Sequence, residues 1–266
     1  MPGSFSNFAE NKILDHLFGG TPFAVPTLHV GYFLTGCDDN GPGAEPSSGS
    51  YARVAVPPAT WLSSTAQQTQ NVADIVCPRS TDAQGDVVGI GLFDSSVGGN
   101  FLAYFPAEDG ILIEKRDSLV ILAGGLIHQF NPGGFTNYTK DLILNHVYKG
   151  IPLPNFPVLH AGYMTSAPSD ALAGTEPSAG GHLRQPVANN GSSYAPTSGG
   201  VKLNSVKVEF PVVTAAGGLG NAGWFGWWTA ATGGQFIAYG PMTPPQNMAL
   251  NSQLIFLEGD LQHTLD

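Results

Sequence analysis

The apolar residues of two segments recur at the spacing of an amphipathic helix. In the first segment Ile13, Leu14, Leu17 and Phe18 lie three or four positions apart, which places them on one helical face. The second segment repeats this face 130 residues later, with Ile143, Leu144, Val147 and Tyr148. A glycine follows each run, with a proline two residues beyond it, and this combination ends a helix.

Most of the remaining chain shows the pattern of short strands. The clearest period-two alternation lies at residues 206–210, Val-Lys-Val-Glu-Phe. Other β-favouring runs, separated by glycine, proline and serine, occupy residues 27–33, 51–56, 88–94, 101–105, 119–123 and 254–257. We therefore predict a mainly β protein with antiparallel, sandwich-like packing.

One motif identifies an internal repeat. The residues GGNFLAYFP at positions 98–106 return as GGQFIAYGP at positions 233–241, and weaker matches before them keep the same order at offsets of 130 and 131. The chain is therefore a tandem duplication. We predict two domains, residues 1–130 and residues 131–266, each an antiparallel β-sandwich-like module preceded by a short amphipathic helix. The sequence NPGG at 131–134 suits the junction.

Composition excludes several classes of protein. The chain has no apolar run of about twenty residues, and its first residues are polar, so neither a membrane span nor an export signal is expected. The net charge of −10 repels phosphate, so nucleic-acid binding is not expected either.

Chemistry-bearing motifs are few. Cys37 and Cys77 both belong to the first copy, which predicts free thiols, although one bridge between them stays open. The sequence DDNG at 38–41 is an incomplete calcium loop that the second copy lacks. No acid–base pair or nucleophile motif is visible, so we predict no enzyme, no catalytic residues, no cofactor and no metal.

The polar residues that recur in both copies suit structural roles. His16 and His146 lie beside the apolar helix faces, where packing or hydrogen bonding is the simplest role. Two acidic and two basic residues are predicted to form ion pairs that hold a loop to the next strand, namely Glu45 with Arg53 and Glu176 with Arg184.

The copies differ most in one aromatic segment. GWFGWW at residues 223–228 stands where the first copy has VGIGLF. Trp224, Phe225, Trp227 and Trp228 are candidate interface residues, and core packing, a protein interface and glycan stacking all stay open for them. Phe8 and Tyr138, near the starts of the helices, complete the interface candidates.

Five stretches carry a resemblance to a known family, and residues 28–32 and the ending LQHTLD at 261–266 are two of them. SNFAENKILDHLFGG at 6–20, EPSSGSYARVAV at 45–56 and GLFD leading into GGNFLA resemble a family of small phage virion proteins, which includes tail fibre and head decoration proteins. The resemblance implies a non-enzymatic structural protein of the virion, made in the host cytoplasm, whose partners are major capsid or tail proteins.

Three functions remain in view. The first is a capsid decoration or cement protein acting as a homo-oligomer such as a trimer, whose six modules could meet threefold or quasi-sixfold surroundings. The alternative is a tail fibre or tail-tip protein that contributes to host receptor binding, with a host glycan as a possible ligand. The third, a glycan-cleaving enzyme, needs two convergent carboxylates that the sequence does not present.

Overall fold

The computed structural model describes residues 2–178 and 180–265, and 34% of the chain is strand and 11% helix. The first copy contains β1 (Pro2–Phe5), α1 (Asn7–Gly19), β2 (His29–Phe33), β3 (Val54–Ala55), β4 (Gln68–Gln70), β5 (Ile75–Val76), β6 (Gly85–Phe93), β7 (Phe101–Ile113), β8 (Val120–Ile121) and β9 (Ile127–Gln129). The second contains α2 (Asn137–Lys149), β10 (Val158–Met164), β11 (Gln185–Ala188), β12 (Val201–Leu203), β13 (Val208–Glu209), β14 (Asn221–Trp228), β15 (Phe236–Asn247), β16 (Ile255–Phe256) and β17 (Gln262–Thr264). The predicted mainly β architecture with two helix-opened modules is confirmed.

Both helices are capped in the same way. The side chain of Ser6 accepts a hydrogen bond from the Ala9 amide, and Thr136 does the same for Thr139. Each helix ends at a glycine in the left-handed region, with φ of 60° at Gly20 and 69° at the equivalent glycine of the second copy. Local sequence therefore fixes the length of both helices.

The strands of the two copies share an order but not the same continuity. In the first copy one sheet runs β3-β2-β6-β7-β1-β9-β4, with β5 and β8 paired separately. In the second copy the equivalent strands form a sheet β11-β10-β14-β15 and two separate pairs, β12 with β17 and β13 with β16. In the first copy β1 lies between β7 and β9 and joins them into one sheet. In the second copy no strand joins the equivalent β15 and β17 among the described residues, so they belong to different sheets.

One large hydrophobic core extends through both copies, and each copy adds a small separate cluster. Its continuity comes from the helices, because α1 packs against β12 of the second copy and α2 packs against β4 of the first. Each helix also contacts its own copy, α1 at β7 and α2 at β15. The helices therefore connect the modules reciprocally, and the core that they close belongs to both halves of the chain.

Candidate functional site: the paired copies and their exposed edges

Polar side chains anchor the first helix in the second copy. The Asp15 carboxylate accepts hydrogen bonds from the Thr197 amide at 3.0 Å, the Thr197 hydroxyl at 2.6 Å and the Lys202 ammonium at 2.6 Å. Asn11, one turn earlier, accepts from the Gly200 amide at 3.0 Å. Burial alone would raise the pKa of Asp15, but these bonds outweigh it and hold the pKa below its ordinary value.

The second helix makes the equivalent contacts in the first copy. The Asp141 carboxylate accepts from the Ser64 hydroxyl at 2.5 Å and from the Gln67 amide at 2.8 Å. The Asn145 side chain accepts from the Ser64 amide at 2.9 Å and donates to its carbonyl at 3.1 Å. Asp141 matches Asn11 and Asn145 matches Asp15 at the offset of 130. Each helix thus binds the other copy through the same two positions, but the carboxylate lies one turn earlier in α2 than in α1.

Each helix also inserts an aromatic ring beside a buried histidine of the other copy. The Tyr148 hydroxyl lies 2.6 Å from Nδ1 of His128, and the Phe18 ring stacks on His263 with centroids 4.5 Å apart. Complete burial lowers the pKa of both histidines to about 3, so both are neutral. The two centres are equivalent in position and differ in how the histidine is satisfied.

Trp227 supplies the hydrogen-bond partner of His263. Phe18 has no hydroxyl to offer to His263, and Trp227 donates its indole N–H to Nε2 of that histidine at 2.7 Å instead. In the first copy Leu92 stands at the position of Trp227, and the Tyr148 hydroxyl satisfies the histidine. A buried polar atom without a partner is costly, and each copy gives its histidine a partner at a different ring nitrogen, Nδ1 in His128 and Nε2 in His263.

The predicted ion pairs both form, and they hold the repeated motif. Arg53 contacts Glu45 through Nε at 2.8 Å and Nη2 at 2.7 Å, while its Nη1 donates to the carbonyls of Ser95 and Gly98. The guanidinium lies 3.3 Å from the centre of the Phe93 ring. The arginine therefore ties the long loop to the Gly98-Gly99 hairpin.

The second copy repeats this clamp with a different aromatic platform. Arg184 contacts Glu176 at 2.9 and 2.5 Å and donates to the carbonyls of Ala230 and Gly233. Its guanidinium lies 4.1 Å from the Trp228 ring. The paired glycines recur because both hairpins place them at φ between 62° and 73°, and the clamp occupies the face of Trp228 with a cation from the same chain.

One recurring carboxylate escaped the sequence comparison. Asp39 and Asp170 occupy equivalent places, and they accept hydrogen bonds from the Tyr104 and Tyr239 hydroxyls at 2.6 and 2.5 Å. Lys140 adds an ion pair to Asp170 at 2.6 Å. The surrounding residues, DDNG and SDAL, share little else, and the tyrosines of the repeated motif were the available signal. DDNG therefore contributes a structural carboxylate at Asp39.

The candidate interface residues divide by burial. Phe225, Trp227 and Trp228 are buried, which leaves no free surface on them for a partner, whereas Trp224 is half-buried. Trp224 lines an open cleft of about 470 Å³ in the second copy. Phe8 is half-buried at a cleft of about 300 Å³ beside the first hairpin, and Tyr138 is also half-buried.

Other expected features can be placed as well. Cys37 and Cys77 are free thiols. Within residues 2–178 and 180–265, histidine, cysteine and carboxylate side chains form no cluster with the size of a metal site. Neither of the helices in that part of the chain has the length and apolar character needed to cross a membrane.

A family model described as Podophage GP4 fiber I protein gp80 matches the chain twice, over residues 4–129 and again over residues 134–264. The two matches cover nearly the whole sequence and fit the arrangement of two similar modules. A search of curated proteins finds no match to the chain.

Proposed function

The chain belongs, as a tandem pair, to the family described as Podophage GP4 fiber I protein gp80, and from this premise we propose that it is a structural component of a phage tail fibre. The family match over both copies carries the proposal. The resemblance to phage virion proteins is thereby confirmed, and a role in the virion with other phage structural proteins as partners follows from the family.

The internal use of the polar residues supports a structural role without catalysis. The carboxylates that recur in the two copies are committed to partners of the same chain, as in the Glu45–Arg53 pair and the Tyr104–Asp39 hydrogen bond. A glycan-cleaving site needs two carboxylates that converge on substrate. We therefore propose that the protein acts by binding and by assembly.

The half-buried aromatic residues Phe8 and Tyr138 suit the proposed contact with a host receptor. They occupy matching positions at the starts of α1 and α2, and Phe8 lines an open cleft with Asn40 and Asn100. An aromatic face beside polar groups is the usual composition of a sugar or protein contact. If the wild-type protein, added to host cells, inhibits phage adsorption by occupying the receptor, the Phe8→Ala and Tyr138→Ala variants are expected to inhibit adsorption less.

Localisation on purified particles tests the proposal against the capsid-decoration hypothesis, which remains a prediction. Gold-labelled antibody or cryo-microscopy should place the chain at the tail. Regular labelling across the capsid would overturn the fibre assignment in favour of decoration. Homo-oligomer formation, including a trimer, is also still a prediction, and light scattering of the purified chain measures it directly.

A further inference from the structure

In the first copy, β1 fills the space between two other strands. Ser4 pairs with Tyr104 of β7 in antiparallel register, and Pro2 and Gly3 pair with Ile127 and His128 of β9 in parallel register. A single short segment thus joins β7 to β9. The β1 strand therefore shows what kind of segment can fit in the equivalent space of the second copy, between β15 and β17.

The second copy fills only half of this space. Its segment begins as expected, because the Gly134 carbonyl accepts from the Tyr239 amide at 2.8 Å and Phe135 forms a bridge to Ala238. Before Gly134 the chain turns away at Gly133, whose φ of 109° favours glycine and whose N–H donates to Asp170 at 3.0 Å. The preceding residues must connect to β9 of the first copy, so they cannot also lie beside β17.

Among the described residues, one edge of β17 consequently has no strand beside it. The Leu265 amide donates to the Gly200 carbonyl, and the Asn204 amide donates to the Leu261 carbonyl, on the side of β12. Backbone groups alternate in direction along an antiparallel pair, so Gln262 and Thr264 direct their N–H and C=O groups away from β12. In the part of the chain that the structure describes, β12 is the only strand beside β17.

An open cleft lies along this edge. Its volume is about 470 Å³, and it is lined by β17 on one side and by Tyr239, Gly240 and Pro241 on the other. Trp224, Pro168 and the glycines at 133 and 134 complete its wall. A second cleft of about 500 Å³ shares Pro241 and follows β15 to Asn247. The lining of the first cleft carries no charge, because His263 is neutral when buried.

We propose that this groove, formed by the free edge of β17 and the facing part of β15, accepts an extended strand from a different phage protein. The strand would run parallel to β17, as β1 runs parallel to β9, and would bond to the backbone of Gln262 and Thr264. The first cleft offers no charged partner to a charged side chain, so the proposed segment is uncharged where it lies in that cleft. The β1 strand of a second copy is already held in its own sheet, which excludes it as the donor.

The template also sets the limits of the occupant. Its carboxyl-terminal end must stop or leave the sheet at Gly134, because Gly134 and Phe135 occupy the continuation. Its amino-terminal side can continue along β15 toward Asn247. The inference goes beyond the proposed fibre function and does not depend on the position of the chain in the virion.

Site-specific photocrosslinking in phage-infected cells tests the proposal with a matched control. A benzoylphenylalanine is placed at Thr264 and, in a second variant, at Gln129, the equivalent exposed position of β9, whose edge is covered by β1. We expect the label at Thr264 to crosslink to a single uncharged segment of a different phage protein, mapped by mass spectrometry, several-fold more than the label at Gln129.

Each other result would overturn the proposal. Crosslinking of Thr264 only to a second copy of this chain would show a homo-oligomeric contact, and equal yields from the two positions would show no occupant. Amide hydrogen exchange provides a second readout, because the amides of Gln262 and Thr264 should exchange more slowly in the assembled complex than in the purified chain. The antibody localisation is a separate experiment. The crosslinking result can therefore be interpreted even if the protein does not lie in the tail fibre.

Discussion

Replacement of Phe18 by alanine tests the reciprocal packing of the two helices. Phe18 belongs to the first copy, yet its fully buried ring contacts aromatic residues of the second, among them Tyr194, Trp227 and His263, with centroid distances of 5.8, 6.1 and 4.5 Å. A mutation at residue 18 should therefore loosen a region that begins more than 170 residues later in the sequence.

The structure sets the expected magnitude. Truncation of a fully buried phenylalanine costs about 3–5 kcal/mol, since the transfer free energy and the cavity add together. The stacked contact with His263 is lost as well, so we expect the upper part of that range. Urea unfolding measures the change in the free energy of unfolding, and hydrogen exchange with mass spectrometry shows where the native state opens.

The location of the exchange decides the result. Phe18→Ala should increase exchange in residues 194–204 and 261–265, which surround the ring. Phe8→Ala is the matched control, because it removes the same side chain from the same helix at a half-buried position that faces the first copy. If exchange after Phe18→Ala rises only within residues 1–130, the reciprocal arrangement is wrong.

Three further predictions follow from the same contacts. Arg53→Lys keeps the charge but loses the two-point contact to Glu45 and the hydrogen bonds to the hairpin carbonyls, so the free energy of unfolding in urea should fall by about 1–3 kcal/mol. An unchanged unfolding midpoint would show that this arginine does not stabilise the hairpin. His128 and His263 take up protons when the chain unfolds at low pH, because their pKa values are about 3 in the fold and about 6.5 in the unfolded chain. The free energy of unfolding should therefore be highest above pH 6.5 and fall by up to about 1.4 kcal/mol per pH unit for each histidine as the pH drops toward 3. Equal unfolding free energies at pH 7 and pH 5 would contradict the burial of these histidines as neutral groups. The two halves of the chain, residues 1–130 and 131–266, should form a one-to-one complex when they are expressed separately and mixed, because each half lacks the helix of the other half that completes its core. Light scattering measures the mass of the complex. Two stable monomers that do not associate would show that the predicted domains are independent.

Local patterns were sufficient for the elements and for the repeat. The apolar face that includes Leu14 and Leu17 and the glycine that follows it define each helix, since spacing and chirality act over a few residues. The Glu45–Arg53 pair was also visible, because both residues recur at the same separation in the second copy. The family followed from residues that lie close together in sequence.

Contacts between distant segments lay beyond the sequence pattern. Nothing near Trp227 in the sequence indicates that its indole donates to His263 beside the ring of Phe18, because Trp227 and Phe18 meet only when α1 packs on the second copy. The role of Asp39 and Asp170 depends on the fold for the same reason, since each accepts a hydrogen bond from a tyrosine of the repeated motif that lies 65 or 69 residues away.

The sequence by itself determined two similar β modules, their helices and their membership of a phage family, because these depend on short-range periodicity and on motifs that can be compared directly. Tertiary structure alone decided which module each helix completes and where a sheet edge stays open. Both depend on the path of the chain at the junction. Residues 131–133 must reach β9 of the first copy, so they cannot serve as the strand that β1 provides. One repeated sequence thus forms a continuous seven-stranded sheet in the first copy and leaves a groove between two parts of the sheet in the second.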